Sequence, residues 1–225
     1  MGGVDKLWAD LDGRPLLAWS LAMLAGLDEV GVVVVVAPVD RHVEMGEMAS
    51  MFAGGAGGAE LRCVAGGTRR RDSVAAGIAA APEAAWYLVH DAARPLASAE
   101  LARRVLVAAR EHSESGAAVP GLAVADTVKV VTADGRVRET LDRASLRAVQ
   151  TPQAFAGALL RRAHTHVGGE QSGPDEALDA AQDDAQLVER LGEVVWVVEG
   201  EQRALKVTDP SDLDLVRSLV AGRAG

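Results

Sequence analysis

The sequence predicts an α/β fold: a mostly parallel, doubly wound sheet with helices on both faces. Short apolar, β-branched runs alternate along its 225 residues with Ala-, Leu- and Arg-rich stretches of helical character. The clearest run, residues 31–38 (GVVVVVAP), is apolar at consecutive positions, as in a strand buried on both faces of a parallel sheet. Residues 126–141 break that rhythm by alternating polar and apolar side chains around Asp134-Gly135, a hairpin-turn pair. The expectation is one domain over residues 1–225, with residues 126–150 as a projecting hairpin arm.

Taken in order, residues 15–27 (PLLAWSLAMLAGL) predict a helix with Pro in its first turn. Residues 54–60 (GGAGGAE) read as a loop, 60–67 (ELRCVAGG) as a strand ending in glycines, and 73–81 as a helix. A third strand is expected over 86–90 (WYLVH), a helix over 98–112, and another buried strand over 116–124 (GAAVPGLAV). Beyond the hairpin, 168–177 (GGEQSGPDEA) reads as a loop, 194–200 as a late strand, and 209–222 as a helix capped in the Asp209–Ser211 region. In such a sheet, ligands gather at the carboxyl ends of the strands.

Composition narrows the function. Hydrophobic residues make up 49% but aromatics only 3%, so the core is built from Ala, Val and Leu. A net charge of −9 argues against nucleic acid or an anionic membrane as partner, while leaving room for a small anionic substrate in a local basic pocket. The one cysteine, Cys63, excludes an intrachain disulfide and a multi-cysteine metal site, and suits a reducing cytoplasm. No signal peptide is legible, and the longest apolar run is too short to span a bilayer, so a cytoplasmic protein is expected.

Five clusters fall at expected strand ends. GGTRRRDSV (66–74) places glycines and three arginines before a helix start, whose N–H groups can meet an anion or a base edge. VHDAARP (89–95) sets Asp91 and Arg94 three residues apart after a buried strand, where they could hold a metal ion and a phosphate; His90 reads as a packed histidine without a role. DTVK (126–129) is by itself ordinary strand composition. LDRASLRAVQTPQAF (141–155) offers Arg143, Arg147 and Thr151 to a phosphate. ALKVTDPSDL (204–213) puts Lys206 before a capped helix, and Lys6 follows glycines without completing a phosphate-loop pattern.

In this order the pieces KLWADLDGRPLLAWSL, GGTRRRDSV, VHDAARP, DTVK, QTPQAF and LKVTDPSDL, spanning Lys6 to Leu213, resemble the 2-C-methyl-D-erythritol 4-phosphate cytidylyltransferase family. The resemblance implies a Rossmann-like nucleotidyltransferase fold and transfer of CMP from CTP to a polyol phosphate, with Mg²⁺ as cofactor and a homodimer as the assembly. It implies that Lys6 and Lys206 contact the triphosphate, that Gly67, Thr68 and Ser73 line the cytosine and ribose pocket, and that Asp91, as metal ligand, and Arg94 stand between nucleotide and acceptor. Thr127, Arg143 and Thr151 would bind the acceptor, Thr127 and Arg143 across the dimer. The same resemblance leaves two other readings: a cytidylyltransferase for another polyol phosphate such as ribitol 5-phosphate, or a non-catalytic homologue.

The chain departs from the family at several points. The family opens with a strand and a glycine-rich loop, whereas this chain begins at the Met-Gly-Gly that would close that loop; a central position of the sheet is expected to lack its strand and leave open edges. The family's Pro before the first lysine is Asp5, its Thr-Asp-Glu-Ala segment is Gln182-Asp183-Asp184-Ala185, and its Asn before the second lysine is Ala204. All three are expected near the phosphates.

Overall fold

The protein, a computed structural model, is described over residues 5–51, 58–165 and 181–222. A tight hairpin joins β1 (Asp10–Leu11) to β2 (Arg14–Pro15). Its turn holds Asp12 at φ 55° and Gly13 at φ 76°, values that an Asp-Gly pair tolerates with little strain. Pro15 then stands at the N-cap of α1 (Leu16–Ala25), just before the helix rather than within its first turn.

The expected alternation follows, with ends shifted by a few residues: β3 (Val32–Ala37), α2 (His42–Ser50), β4 (Glu60–Ala65), α3 (Arg70–Ala79), β5 (Trp86–Val89), α4 (Ala99–Glu111) and β6 (Ala117–Ala123). The Ser98 hydroxyl accepts the Leu101 amide at 2.9 Å and starts α4. The helix buries Leu101, Ala102, Val105, Leu106 and Ala109, a 3.6-residue stripe facing the sheet.

The arm is β7 (Lys129–Val131) and β8 (Val137–Thr140), turned at Gly135 with φ 85°. After it come β9 (Arg147–Val149), β10 (Gln153–Ala156), α5 (Gly157–Thr165), α6 (Asp184–Arg190), β11 (Trp196–Glu199) and α7 (Pro210–Ala221). Asp209 accepts the Ser211 and Asp212 amides at 2.9 and 3.1 Å, the cap expected for the last helix. The expected loop over residues 168–177, and residues 54–57 of the earlier one, lie outside the described residues.

The main sheet runs β11-β6-β10-β5, with β9 also on β6. β11 is parallel to β6, while β10 is antiparallel to both β6 and β5, so β5, β6 and β11 share a direction around one reversed strand. β9 and β10 both run antiparallel to β6, pairing Val149 with Gly121 and Ala154 with Ala118. The register between those pairs slips by two residues, leaving residues 150–152 out of the ladder. Such a bulge re-aims side chains out of the pleat. β9 thus returns from the arm to the body of the molecule.

Alternation along β6 serves two cores. Ala118 packs beneath α4 together with Leu101, Val105 and Ala154, whereas Ala117 and Val119 pack with Phe155, Leu160 and Val188 on the opposite face, under α5 and α6. The parallel pair β3–β4 forms a separate ladder, packed against α1 and α2. Among the described residues the outer edges of β3 and β5 carry no strand, and both line one cavity of about 1500 Å³. Every residue of β5 is half-buried, whereas Gln153, Ala154 and Phe155 of the doubly paired β10 are buried.

Candidate active site at the strand ends

β5 ends at Val89, and the chain turns at once. The Arg94 amide donates to the Asp91 carbonyl at 2.9 Å, and the Ala93 amide donates to Asp91 Oδ1 at 3.0 Å. Asp91 Oδ2 faces Lys206 Nζ at 2.8 Å. Burial alone would raise the Asp91 pKa, but the Lys206 ammonium, the Ala93 amide and the nearby Arg94 charge together hold it below the usual carboxylate range. Arg94 sends Nη1 to the Ala204 carbonyl at 2.7 Å, and burial lowers its pKa against the opposing pull of Asp91.

The segment carrying Lys206 runs beside this turn, because the Val207 amide donates to the Ala93 carbonyl at 2.8 Å. Lys6 Nζ donates to the Val207 carbonyl at 3.0 Å from the other end of the chain. Lys6, Asp91, Arg94 and Lys206, widely separated in sequence, thereby meet at one corner. Asp91, Arg94 and Lys206 line the cavity, as do Ser73 and Thr151.

The bulge before β10 braces the corner. The Gln150 side-chain amide donates to the Glu201 carbonyl at 2.8 Å and its oxygen accepts the Glu201 amide at 2.9 Å, clamping the approach to Lys206. A Cβ on Gly200 would stand 2.4 Å from Gln150 Oε1, so this clamp depends on glycine there. Thr151 Oγ1 accepts the Asp91 amide at 2.9 Å and lies 3.1 Å from His90 Nδ1. The half-buried His90 ring has its pKa lowered to about 4, chiefly by burial, with the Arg94 charge adding to this and Asp91 opposing it. A single sequence could not show that Gln150 and His90 are so placed: Gln150 reads as loop composition and His90 as core.

The glycine-rich loop is more self-contained than its sequence suggests. The Gly67 amide donates to Ser73 Oγ at 3.2 Å, and Asp72 Oδ2 accepts the Arg69 amide at 3.3 Å. The start of α3, expected to offer free N–H groups, thus has two nearby amides held by its own side chains. A Cβ on Gly67 would sit 2.3 Å from that of Asp72, which explains the glycine. Ser73 lines the cavity, while Gly67 and Thr68 belong to the same loop outside its lining.

The Gln182-Asp183-Asp184 segment, expected near phosphates, has both carboxylates engaged within the protein. Asp183 accepts the Gln186 amide as cap of α6 and the Gln153 side chain at 2.9 Å. Buried Asp184 takes Arg70 at 2.6 Å and His164 at 2.9 Å. Burial would raise its pKa, but His164 and Arg70 overcome that and lower it. This network pins the first residue of α3 to α5 and α6, and it was not legible from spacing.

Thr127 and Arg143 do not reach the cavity within one chain. Both are exposed on the arm, and Arg143 Nη1 donates to the Ala125 carbonyl beside it. Among the described residues no group of three His, Cys, Asp or Glu side chains could enclose a metal ion. The donor set at the corner is one carboxylate, Asp91, facing an open cavity. That suits Mg²⁺, which keeps much of its water and binds through one or two carboxylates plus substrate phosphates.

The sequence signature described as IspD, 2-C-methyl-D-erythritol 4-phosphate cytidylyltransferase, matches residues 1–221. A Nocardia farcinica protein of that same description is 50% identical over 165 residues, which is 73% of this chain and 66% of the relative. A bifunctional IspD/IspF enzyme from Anaeromyxobacter dehalogenans is 43% identical over 97% of this chain, and here the chain spans only 53% of the relative. The crystal structure of 2-C-methyl-D-erythritol 4-phosphate cytidylyltransferase from Thermus thermophilus superimposes with a TM-score of 0.71 at 37% identity, covering 96% of this chain and 93% of that one. On this signature, these relatives and this fold, the chain belongs to the IspD family of cytidylyltransferases.

Proposed function

We propose that the protein transfers CMP from CTP to 2-C-methyl-D-erythritol 4-phosphate, releasing pyrophosphate, as a step of non-mevalonate isoprenoid synthesis. The observation that carries this reading is the corner itself. Lys206, Arg94 and the ion-paired Asp91 come together at the end of β5 and line a cavity that Ser73 also lines, with Lys6 held beside them on the Val207 carbonyl. Such a cluster stabilises negative charge building on a phosphoryl group and has no nucleophile of its own.

In the proposed reaction an oxygen of the acceptor phosphate attacks the α-phosphorus in line. The new P–O bond forms as the bond to the β-phosphate oxygen breaks, and pyrophosphate leaves with that electron pair. Lys6 and Lys206 hold the α-phosphate and offset its charge, Ser73 and its loop receive the nucleoside, and Arg94 orients the acceptor phosphate. Mg²⁺, when bound through Asp91 and the nucleotide phosphates, adds charge neutralisation.

The arm supports a homodimer. All four residues of β8 are exposed, Val131 and Val137 are 56% and 59% exposed, and a two-stranded hairpin alone is marginal in water. A second copy covering this surface would carry Thr127 and Arg143 to the partner's cavity. No helix among the described residues is long and apolar enough to cross a membrane, and we place the reaction in the cytoplasm, where Cys63 stays reduced. Pyrophosphate release is the test, measured with CTP and Mg²⁺ and with methylerythritol phosphate, ribitol 5-phosphate or no acceptor. Release specific to methylerythritol phosphate is expected; release with ribitol 5-phosphate alone, or with no acceptor, would overturn the assignment.

A further inference from the structure

Residues 200–209, which deliver Lys206 to the corner, lie between β11 and α7 in no strand or helix. Two backbone bonds anchor the stretch: the Gly200 amide donates to the Gly121 carbonyl at 3.0 Å, and Val207 to Ala93 at 2.8 Å. Between these anchors, side chains tie it to the rest of the fold. Arg94 reaches the Ala204 carbonyl at 2.7 Å, and the Ser98 hydroxyl donates to the Glu201 carboxylate at 2.7 Å. Gln150, 4% exposed, does more: Nε2 donates to the Glu201 carbonyl at 2.8 Å and the Ala204 carbonyl at 3.3 Å, while Oε1 accepts the Glu201 amide at 2.9 Å. One end of the amide faces a carbonyl and the other an N–H, so its orientation is fixed. It pairs with the Glu201 backbone as a residue of a neighbouring strand would. The Gln150 amide nitrogen itself donates to the Pro120 carbonyl at 2.8 Å, which seats its backbone on β6. The next residue, Thr151, accepts the Asp91 amide at 2.9 Å. Two adjacent residues of the bulge thereby hold the two sides of the Asp91–Lys206 pair.

We propose that Gln150 is a positioning residue for Lys206: its side-chain amide stands in for a rung of sheet beyond the end of β11 and fixes where the lysine stands. The consequence for catalysis rests on the cytidylyltransferase reading; the clamp does not. A lysine carries its charge on a flexible four-carbon stem, so its backbone must be fixed if the ammonium is to await the charge that develops on the α-phosphate. Arg94 and Ser98 hold the same stretch at the Ala204 carbonyl and the Glu201 carboxylate, and neither meets the Glu201 amide. Losing the Gln150 amide leaves that N–H without its partner, and the segment must shift to satisfy it.

Gln150→Met keeps the length of the side chain and removes its amide. In this variant the Glu201 amide is expected to exchange with deuterium about tenfold faster than in wild type, a measurement by nuclear magnetic resonance that needs no turnover. Turnover is expected to lose about tenfold in kcat at similar KM for CTP, as a misplaced catalytic group does. The deciding comparison is a double-mutant cycle. If Gln150 acts through the lysine, adding Gln150→Met to Lys206→Ala lowers kcat no further. Losses that multiply in the double variant would reduce Gln150 to a general structural role. An unchanged kcat, or an unchanged Glu201 exchange rate, would equally overturn the proposal. Should Gln150→Met fail to fold, Gly200→Ala opens the same clamp from the other side, because its Cβ would stand 2.4 Å from Gln150 Oε1; the same readouts apply. Wild-type turnover tests the enzyme assignment separately, and the exchange measurement stands without it, so failure of one reading is distinguishable from failure of the other.

Discussion

The corner at the end of β5 and the arm at residues 126–146 are built on opposite terms. In the corner each charged group is tied within the chain: Lys206 to Asp91 at 2.8 Å, Arg94 to the Ala204 carbonyl at 2.7 Å, Lys6 to the Val207 carbonyl at 3.0 Å. On the arm, exposed Val131 and Val137 and the basic Arg143 stand away from any core of their own chain. One region is preorganised by a single polypeptide, and the other presents apolar surface that only another surface can bury. The two regions can therefore be probed by separate substitutions.

The largest effect is expected in the corner. Lys206→Ala should lower kcat by about 10²–10³-fold with far less change in CTP affinity, since the lysine acts on charge that develops in the transition state; sedimentation should show the dimer intact. An equal loss of kcat and CTP affinity would make it a ground-state binder. Next is the arm. Val137→Arg should weaken self-association by roughly 10- to 100-fold, as loss of a buried apolar side chain costs about 1.5–3 kcal/mol, and activity should follow the dimer on dilution. A dimer of unchanged strength would remove the arm from the interface.

Arg143→Ala should raise KM for the acceptor by about tenfold and leave that for CTP alone, the loss of one charge-assisted contact. Mixing Lys206→Ala and Arg143→Ala chains at acceptor concentrations well below KM, where neither variant alone exceeds about a tenth of the wild-type rate, sharpens the comparison further. If the arm serves the partner, each mixed dimer has one intact site, and random mixing restores about a quarter of wild-type activity. No recovery would place both residues in the same chain's site. The smallest effect concerns acid stability. Because the folded Asp91 pKa is depressed, its contribution is present above the unfolded value and is lost as pH falls through the folded one. Removing the pull with Lys206→Met should move that loss to higher pH, seen as thermal unfolding that weakens earlier on acidification.

The corner was partly legible and the reasons for the rest are physical. Asp91 and Arg94 could be read because they follow an apolar run directly, and strand ends are where such folds bind ligands. Gln150 and His90 could not, because their partners are Glu201 and Ser20, which only the packing of the sheet against α1 and the last strand brings near. Sequence leaves the start of α3 open, whereas Asp72 and Ser73 take up amides beside it, as short polar side chains do near a helix start.

By itself, then, the sequence determined what depends on neighbours along the chain: the alternation of strands and helices, the Asp134-Gly135 turn, the Asp209 cap, and the spaced motifs that mark the family. Tertiary structure alone decided the reversal of β10, the bulge that aims Gln150 and Thr151, and the meeting of Lys6 with Val207 201 positions away. Local pattern sets which way a side chain faces on its own strand or helix. Which strand lies beside it depends on burying the whole core at once, and that information is spread over the entire chain.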